Sequence, residues 1–122
     1  MTRKISVIGI TDLGPDSLTP EARARVDEAA LLCGGERHLA FFPHHPAERF
    51  VIKANVGDLV ARLREETRPA VVLASGDPNC YGIGPLLAQQ LGHDRVEILP
   101  NVSAVQLAFA RLGLSWHDAV VL

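Results

Sequence analysis

The sequence has few cysteines, few aromatic residues and no large excess of one charge, and each scarcity excludes a class of protein. Its two cysteines, Cys33 and Cys80, form neither a disulfide framework nor a zinc knuckle, so a reducing cytoplasm is the expected compartment. A net charge of -2 provides no basic surface for nucleic acid or an anionic membrane. No apolar run approaches the roughly 20 residues that span a bilayer.

The chain does contain a regular alternation of apolar runs and amphipathic segments. Apolar runs at 5–10, 31–34, 70–74, 96–99 and 119–122 predict strands, and 50–52 predicts a shorter one. Helices are predicted from Thr19, the N-cap before Pro20, to about residue 30, and over 55–66, 83–91 and 103–112. In 122 residues, this order predicts one α/β domain with a mainly parallel sheet flanked by helices, a three-layer sandwich.

The most informative stretch follows the buried strand at 70–74. Apolar character stops there, and Gly76, Asp77 and Pro78 form a tight turn in which backbone groups stay accessible to a ligand. Ligands of open α/β sheets bind beyond the carboxyl ends of the strands. We expect three turns, 9–14, 75–81 and 100–104, to meet at this edge, although turn residues alone also fit an ordinary strand-to-helix connection.

The first of these turns is one residue away from a dinucleotide fingerprint. Gly9 and Gly14 fit the pattern G-x-G-x-x-G, but Thr11 stands where the middle glycine would approach a pyrophosphate. The helix is also predicted to begin after Thr19, so no helix N-terminus points at a phosphate beside Gly14. A nicotinamide or flavin site is therefore disfavoured. If such a site existed, Glu36 would be the candidate acid that binds the ribose.

Neither the histidines nor the second cysteine indicate a catalytic metal or nucleophile. His44 and His45 lie between two prolines, but no third ligand has suitable spacing, so a solvated loop is expected and no metal. Cys80 lies in the central turn without an adjacent base, and a thiolate nucleophile needs such a neighbour.

Taken together, the three turns resemble the tetrapyrrole (corrin/porphyrin) methylase family. The segments that carry the resemblance are VIGI at 7–10, GPDSLT at 14–19, LASGDP at 73–78 and PNVSA at 100–104. The longer segments 75–84 and 102–113 resemble the members that methylate carbon 5 of a corrin ring. The chain departs from the family at Thr11 and Leu13, where glycine is usual, so the resemblance does not define the shape of the first loop.

The resemblance implies an S-adenosylmethionine pocket at a cleft between two domains. This chain would be the N-terminal domain, 1–122, and the C-terminal domain that completes the pocket would be absent. A chain that stops in an apolar strand fits a fragment, which we expect to be inactive alone. The contacts of the family fall on Asp12, Ser75, Gly76, Asp77, Cys80 (mainly through its backbone), Ser103 and Ala104.

The expected function is that of a C-methyltransferase acting on a corrin precursor, precorrin-6Y or a cobalt-precorrin, in cobalamin biosynthesis. The resemblance also implies a homodimer, a small tetrapyrrole substrate, and a partner domain or subunit that decarboxylates and methylates carbon 15. Three alternatives stay open from the sequence. They are another family member acting on uroporphyrinogen III, protein or ribosomal RNA, a nicotinamide-binding enzyme, and a non-catalytic binding domain.

Overall fold

The computed structural model describes residues 5–75 and 83–99. In this part of the chain, parallel strands and helices alternate, beginning with a strand. The strands are β1 Ile5–Ile10, β2 Leu31–Gly34, β3 Glu48–Val51, β4 Ala70–Ser75 and β5 Val96–Leu99, and the α-helices are α1 Pro20–Glu28, α2 Glu36–Leu39, α3 Val56–Glu65 and α4 Ile83–Leu91. A short 3₁₀ turn, Gly14–Ser17, lies between β1 and α1.

The sheet is buried on both faces, which explains why its strands are continuous apolar runs. On one face, Ile5 and Val7 pack with Leu63 of α3 and Leu87 of α4. On the other face, Ile8 packs with residues of α1 and α2, among them Val26 and Leu39. Strand residues alternate between the two clusters because successive side chains of a strand point to opposite faces. The predicted three-layer α/β sandwich is confirmed.

The strand order, β3-β2-β4-β1-β5, contains one reversal of direction. From β1 the chain moves toward β3 through α1 and α2, and from β3 it returns toward β5 through α3 and α4. Right-handed crossovers in opposite directions place their helices on opposite faces, as observed here. Strands β1 and β4 are neighbours, with Gly9 beside Ala74 and Ile10 beside Ser75. Their carboxyl ends form the topological switch point, where open α/β sheets bind ligands.

Most predicted elements are found near their predicted bounds, and the exceptions lie in one segment. The strand β4 runs one residue further than predicted, through Ser75, and α1 ends at Glu28, where Ala29 takes an extended conformation. In the segment 36–54 the sequence predicts one element, the strand at 50–52, whereas the structure contains α2 and a β3 that begins at Glu48. The predicted helix 103–112 and strand 119–122 lie outside the described residues.

Candidate functional site

The carboxyl edge of the sheet brings together the ends of the three strands that precede the predicted turns. Strands β4, β1 and β5 are consecutive in the sheet, and their last residues are Ser75, Ile10 and Leu99. These three strand ends therefore share one edge of the sheet. The first predicted turn is described in full and the second only at Ser75, and the third, 100–104, lies outside the described residues.

A cavity of about 530 Å³ opens at this edge beside the switch point. Its walls come from the ends of β2, β3 and β4 and from the start of α4, and they are mainly apolar. A mainly apolar concave site with a few polar groups is the usual form of a small-molecule pocket. The side chains of His38 and Ser75 are the polar ones among the described lining residues. The lining residues are Gly35, His38, Ile52, Leu73, Ala74, Ser75 and Ile83.

His38 reaches the cavity from the short helix α2 and contacts Ser75. Its Nε2 lies 3.3 Å from the Ser75 Oγ, a hydrogen-bond distance, and the residue is only 9% exposed. Helix α2 lies close to β4 because Gly34 has no side chain. A Cβ at Gly34 would lie 3.3 Å from the Leu73 Cβ and 3.5 Å from the His38 Cβ. Sequence reasoning missed His38 as a site residue.

The end of α2 is fixed by its neighbours, so the His38 ring has a defined position. Leu39 is buried in the cluster beneath α1. The Arg49 guanidinium, from β3, donates to the Leu39 carbonyl oxygen at 2.9 Å and also to the Phe42 carbonyl. The same two carbonyls also accept from the Phe42 and His45 N–H groups, at 3.1 and 3.2 Å, so backbone turns and the guanidinium together hold the end of α2.

Burial keeps the His38 imidazole neutral. It lowers the pKa of His38 below its ordinary value, and the positive charge of Arg37 lowers it further. Asp12 acts in the opposite direction, but its side chain is 89% exposed and lies 3.7 Å from Arg37. At neutral pH the cavity therefore presents a neutral imidazole and a hydroxyl.

The loop after β1 is folded by its own hydrogen bonds. The Thr11 N–H donates to the Ser17 Oγ at 3.2 Å, and the Ser17 Oγ donates to the Gly14 carbonyl oxygen at 2.7 Å. Gly14 has φ +65°, and a Cβ there would lie 2.8 Å from the Phe41 ring. Glycine is therefore required at this position by both conformation and space. The loop holds Leu13 at the surface, 73% exposed.

The same loop does not form a dinucleotide site of the usual geometry. The 3₁₀ turn begins at Gly14, whereas α1 begins at Pro20 with Thr19 as its N-cap. The Thr19 Oγ1 accepts from the Ala22 N–H at 3.1 Å, so the α1 N-terminus is capped by the chain itself. Glu36, the candidate ribose ligand, forms an exposed ion pair with Lys53 at 3.5 Å.

Of the predicted cofactor-binding residues, two lie within the described part of the chain. Ser75 lines the cavity, and Asp12 lies in the loop that follows the neighbouring strand β1. Both residues therefore lie at the switch point, but Asp12 is not among the residues that line the cavity. The remaining predicted residues, Gly76, Asp77, Cys80, Ser103 and Ala104, lie outside the described residues.

The other cysteine and a second histidine have structural environments. His44 and His45 lie in a loop, as predicted; His44 is exposed, whereas His45 is half-buried, with its Nε2 2.6 Å from the Val26 carbonyl oxygen and its Nδ1 accepting from the Ala47 N–H at 3.0 Å. Cys33 is fully buried, and burial raises the pKa of its thiol to about 12. Within residues 5–75 and 83–99, no group of three potential ligands is placed to hold a metal ion. None of the helices described there is long and apolar enough to cross a membrane.

Comparisons with known proteins identify relatives along nearly the whole chain. The family model for Tetrapyrrole (Corrin/Porphyrin) Methylases matches residues 4–122. The cobalt-precorrin-7 C(5)-methyltransferase of Salmonella typhimurium is 41% identical over 115 residues, which cover 93% of this chain and 57% of that protein. The precorrin-6Y C(5,15)-methyltransferase (decarboxylating) of Mycobacterium tuberculosis is 37% identical over 119 residues, which cover 97% of this chain and 30% of that protein.

A solved structure gives the same result for the fold. The precorrin-6Y methylase of Archaeoglobus fulgidus superposes with a TM-score of 0.68 at 26% identity, covering 97% of this chain and 62% of that chain. The Salmonella and Mycobacterium relatives are longer than this chain, which spans 57% and 30% of their lengths.

Proposed function

The chain belongs to the tetrapyrrole methylase family, and from this membership we propose that it is the N-terminal domain of an S-adenosylmethionine-dependent C-methyltransferase of cobalamin biosynthesis. Its substrate is a corrin precursor, precorrin-6Y or a cobalt-precorrin, and the methyl group goes to carbon 5. The observation that carries this proposal is the 41% identity to a cobalt-precorrin-7 C(5)-methyltransferase across 93% of the chain.

The geometry of the carboxyl edge supports a cofactor site there. The cavity lies beside the switch point, its walls are mainly apolar, and a neutral imidazole and a hydroxyl supply its polar contacts. When bound, S-adenosylmethionine supplies the methyl group and a neutral leaving group. The task of the chain is then to bind, orient and exclude water, which needs no nucleophile. We assign the cofactor contacts to Asp12, Ser75, Gly76, Asp77, Cys80, Ser103 and Ala104.

We further propose that a second domain completes the pocket and that the whole protein is a cytoplasmic homodimer. This chain covers 57% of the Salmonella relative, and the part that it does not cover is long enough for a second, somewhat smaller domain. The Mycobacterium relative carries C(5,15) and decarboxylating in its name, and this chain covers 30% of it. Methylation of carbon 15 and decarboxylation would therefore fall to a partner domain or subunit.

Calorimetric titration of the whole protein, this chain together with the proposed second domain, tests the cofactor. We expect S-adenosylhomocysteine to bind and NAD to give no heat. Asp77→Ala should weaken S-adenosylhomocysteine binding by about 1–3 kcal/mol, because its polar partners in the site would be left unmatched. Binding of NAD without S-adenosylhomocysteine would overturn the proposal, and unchanged affinity in the variant would remove Asp77 from the site.

Methyl-transfer assays test the substrate and the division into domains. The whole protein should methylate a carbon-5 precorrin or cobalt-precorrin in preference to uroporphyrinogen III. The 122-residue chain alone should transfer no methyl group to either. Measurable turnover by the chain alone would show that the pocket is complete without a second domain.

A further inference from the structure

We propose that His38 is a positioning residue, which orients the Ser75 hydroxyl toward bound S-adenosylmethionine. This inference rests on the proposed function, because it assigns a role within the same cofactor site. It adds a residue that sequence reasoning did not place there.

The first step is the hydrogen bond between the two side chains. The His38 ring is buried and fixed, whereas Ser75 is exposed at the end of β4, so one side of its hydroxyl faces the imidazole and the other is open to a ligand. An unprotonated Nε2 accepts the hydroxyl hydrogen and leaves the Ser75 Oγ free to accept from a ligand. A protonated Nε2 donates to the Oγ and leaves the hydroxyl hydrogen for a ligand acceptor. The imidazole tautomer therefore decides which ligand atom the hydroxyl can bind.

The second step concerns charge. S-adenosylmethionine carries a sulfonium that S-adenosylhomocysteine lacks, and a protonated imidazole in the cavity would repel it. The neutral form of His38 predominates above its pKa, which burial holds below the ordinary value. As the pH falls through that pKa, S-adenosylmethionine should lose more affinity than S-adenosylhomocysteine.

Other charged groups lie near α2, and they could also affect how binding changes with pH. Those within the described residues are Arg37 and Glu36 on α2, Asp12 after β1, Arg49 on β3, and Lys53 after β3. Because Glu36 pairs with Lys53 and Asp12 with Arg37, these neighbours include two exposed ion pairs. Asp77 follows Ser75 by two positions, so Asp77→Asn belongs in the pH comparison.

The test compares four variants of the whole protein by S-adenosylhomocysteine affinity at pH 8. His38→Leu removes the hydrogen bond, Ser75→Ala removes its partner, the double variant removes both, and His38→Gln keeps a polar group near the Nε2 position. His93→Gln is the control, since His93 is exposed in the turn before β5, at the opposite edge of the sheet.

We expect His38→Leu and Ser75→Ala each to weaken binding by about 3- to 10-fold, the range of one net hydrogen bond. The double variant should be no weaker than the poorer single variant, His38→Gln should recover most of the affinity, and His93→Gln should match the wild type. Additive losses, or wild-type affinity in His38→Leu, would overturn the role. If His38→Leu does not fold, Ser75→Ala and His38→Gln decide the question by the same criteria.

A pH series separates positioning from a purely structural role. Across the pH range in which NMR shows His38 to titrate, the ratio of S-adenosylmethionine to S-adenosylhomocysteine affinity should fall by roughly 5-fold or more in the wild type and in Asp77→Asn. It should stay constant in His38→Gln, and the midpoint should match the His38 titration followed by NMR. A constant ratio in the wild type would overturn the inference alone, whereas a wild type that binds neither ligand would overturn the proposed function and this inference together.

Discussion

At the amino edge of the sheet, where helices return to strands, ion pairs form around one buried carboxylate, whereas both partners of the charged pairs at the carboxyl edge are exposed. At the amino edge, Glu66 is 5% exposed, and its carboxylate accepts from Arg62 at 2.6 Å and from Arg68 at 2.8 Å. Glu48 joins the same two arginines from the start of β3. The Arg95 guanidinium, just before β5, donates to the Glu66 carbonyl oxygen at 3.2 Å.

At the carboxyl edge, the ion pairs contribute little to folding. Asp12 and Arg37 are 89% and 67% exposed, and Glu36 and Lys53 are similarly open to water. Exposed pairs of this kind contribute at most about 1 kcal/mol. The difference between the edges teaches that the charged interactions that stabilise the fold lie away from the ligand edge. Charged side chains at the carboxyl edge can therefore be chosen for binding, with small consequences for stability.

Gly14→Ala should have the largest effect, and it tests where this division ends, since Gly14 lies at the carboxyl edge. We expect the free energy of unfolding to fall by about 2–4 kcal/mol, from the positive φ and from the clash with Phe41. Gly92→Ala at the amino edge should cost only about 1–2 kcal/mol, because its φ of +102° is strained but nothing lies within 4 Å of a Cβ. Urea denaturation measures both.

Phe41→Leu separates the two causes at Gly14. In the double variant, the ring is replaced by a smaller side chain, so the cost of Gly14→Ala should approach that of Gly92→Ala. If Gly14→Ala costs no more unfolding free energy than Gly92→Ala in the wild-type background, the contact with Phe41 does not restrict the loop after β1.

Glu66→Gln should have the next largest effect, and it tests the amino edge. We expect a loss of about 2–3 kcal/mol of unfolding free energy, the scale of charge-assisted hydrogen bonds lost from a buried carboxylate. The exposed neighbour Glu65 gives the matched control, and Glu65→Gln should cost less than about 0.5 kcal/mol. The affinity of the whole protein for S-adenosylhomocysteine should be unchanged in both variants. A loss of affinity in Glu66→Gln would show that the edges are coupled.

The pH dependence of stability should reveal the same carboxylate. The hydrogen bond from Arg68 is the main cause that lowers the pKa of Glu66 to about 2, with Arg62 contributing and burial opposing. Because the folded-state pKa is depressed, the stabilisation is present above the ordinary value near 4.5 and is lost as the pH falls toward 2. The difference in stability between wild type and Glu66→Gln should therefore narrow from pH 5 to pH 2. A constant difference would assign the effect to packing.

The sequence predicts the sheet well and the segment 36–51 poorly, for a physical reason. The buried strands and α4 carry their own signal, because burial on both faces requires continuous apolar runs and the helix has one apolar side. Helix α2 has four residues and is held by tertiary contacts, the buried Leu39 and the guanidinium of Arg49. Strand β3 is an edge strand that begins with the exposed Glu48 and Arg49, so no apolar run marks its start.

In the candidate site, one polar residue of the cavity can be predicted from the sequence and the other cannot. Ser75 is predictable because it follows a buried strand directly, and the end of such a strand is where ligands bind. His38 is not, since its role depends on a contact with a residue 37 positions away. The adjacent Gly34 is a partial signal, because it permits α2 to approach β4, but a glycine at the end of a strand also fits an ordinary turn.

Asp12→Asn should have the smallest effect on stability, and it sharpens the comparison most directly. The Asp12 carboxylate is 89% exposed and 3.7 Å from Arg37, so its loss should change the free energy of unfolding by less than about 0.5 kcal/mol. In the whole protein, the same change should weaken S-adenosylhomocysteine binding by about 3- to 10-fold, because we assign Asp12 to the cofactor. Asp16→Asn, at an exposed position in the same loop, should change neither quantity. Equal affinity in the two variants would remove Asp12 from the site, and a stability loss above about 1 kcal/mol in Asp12→Asn would show that the carboxyl edge also holds the fold.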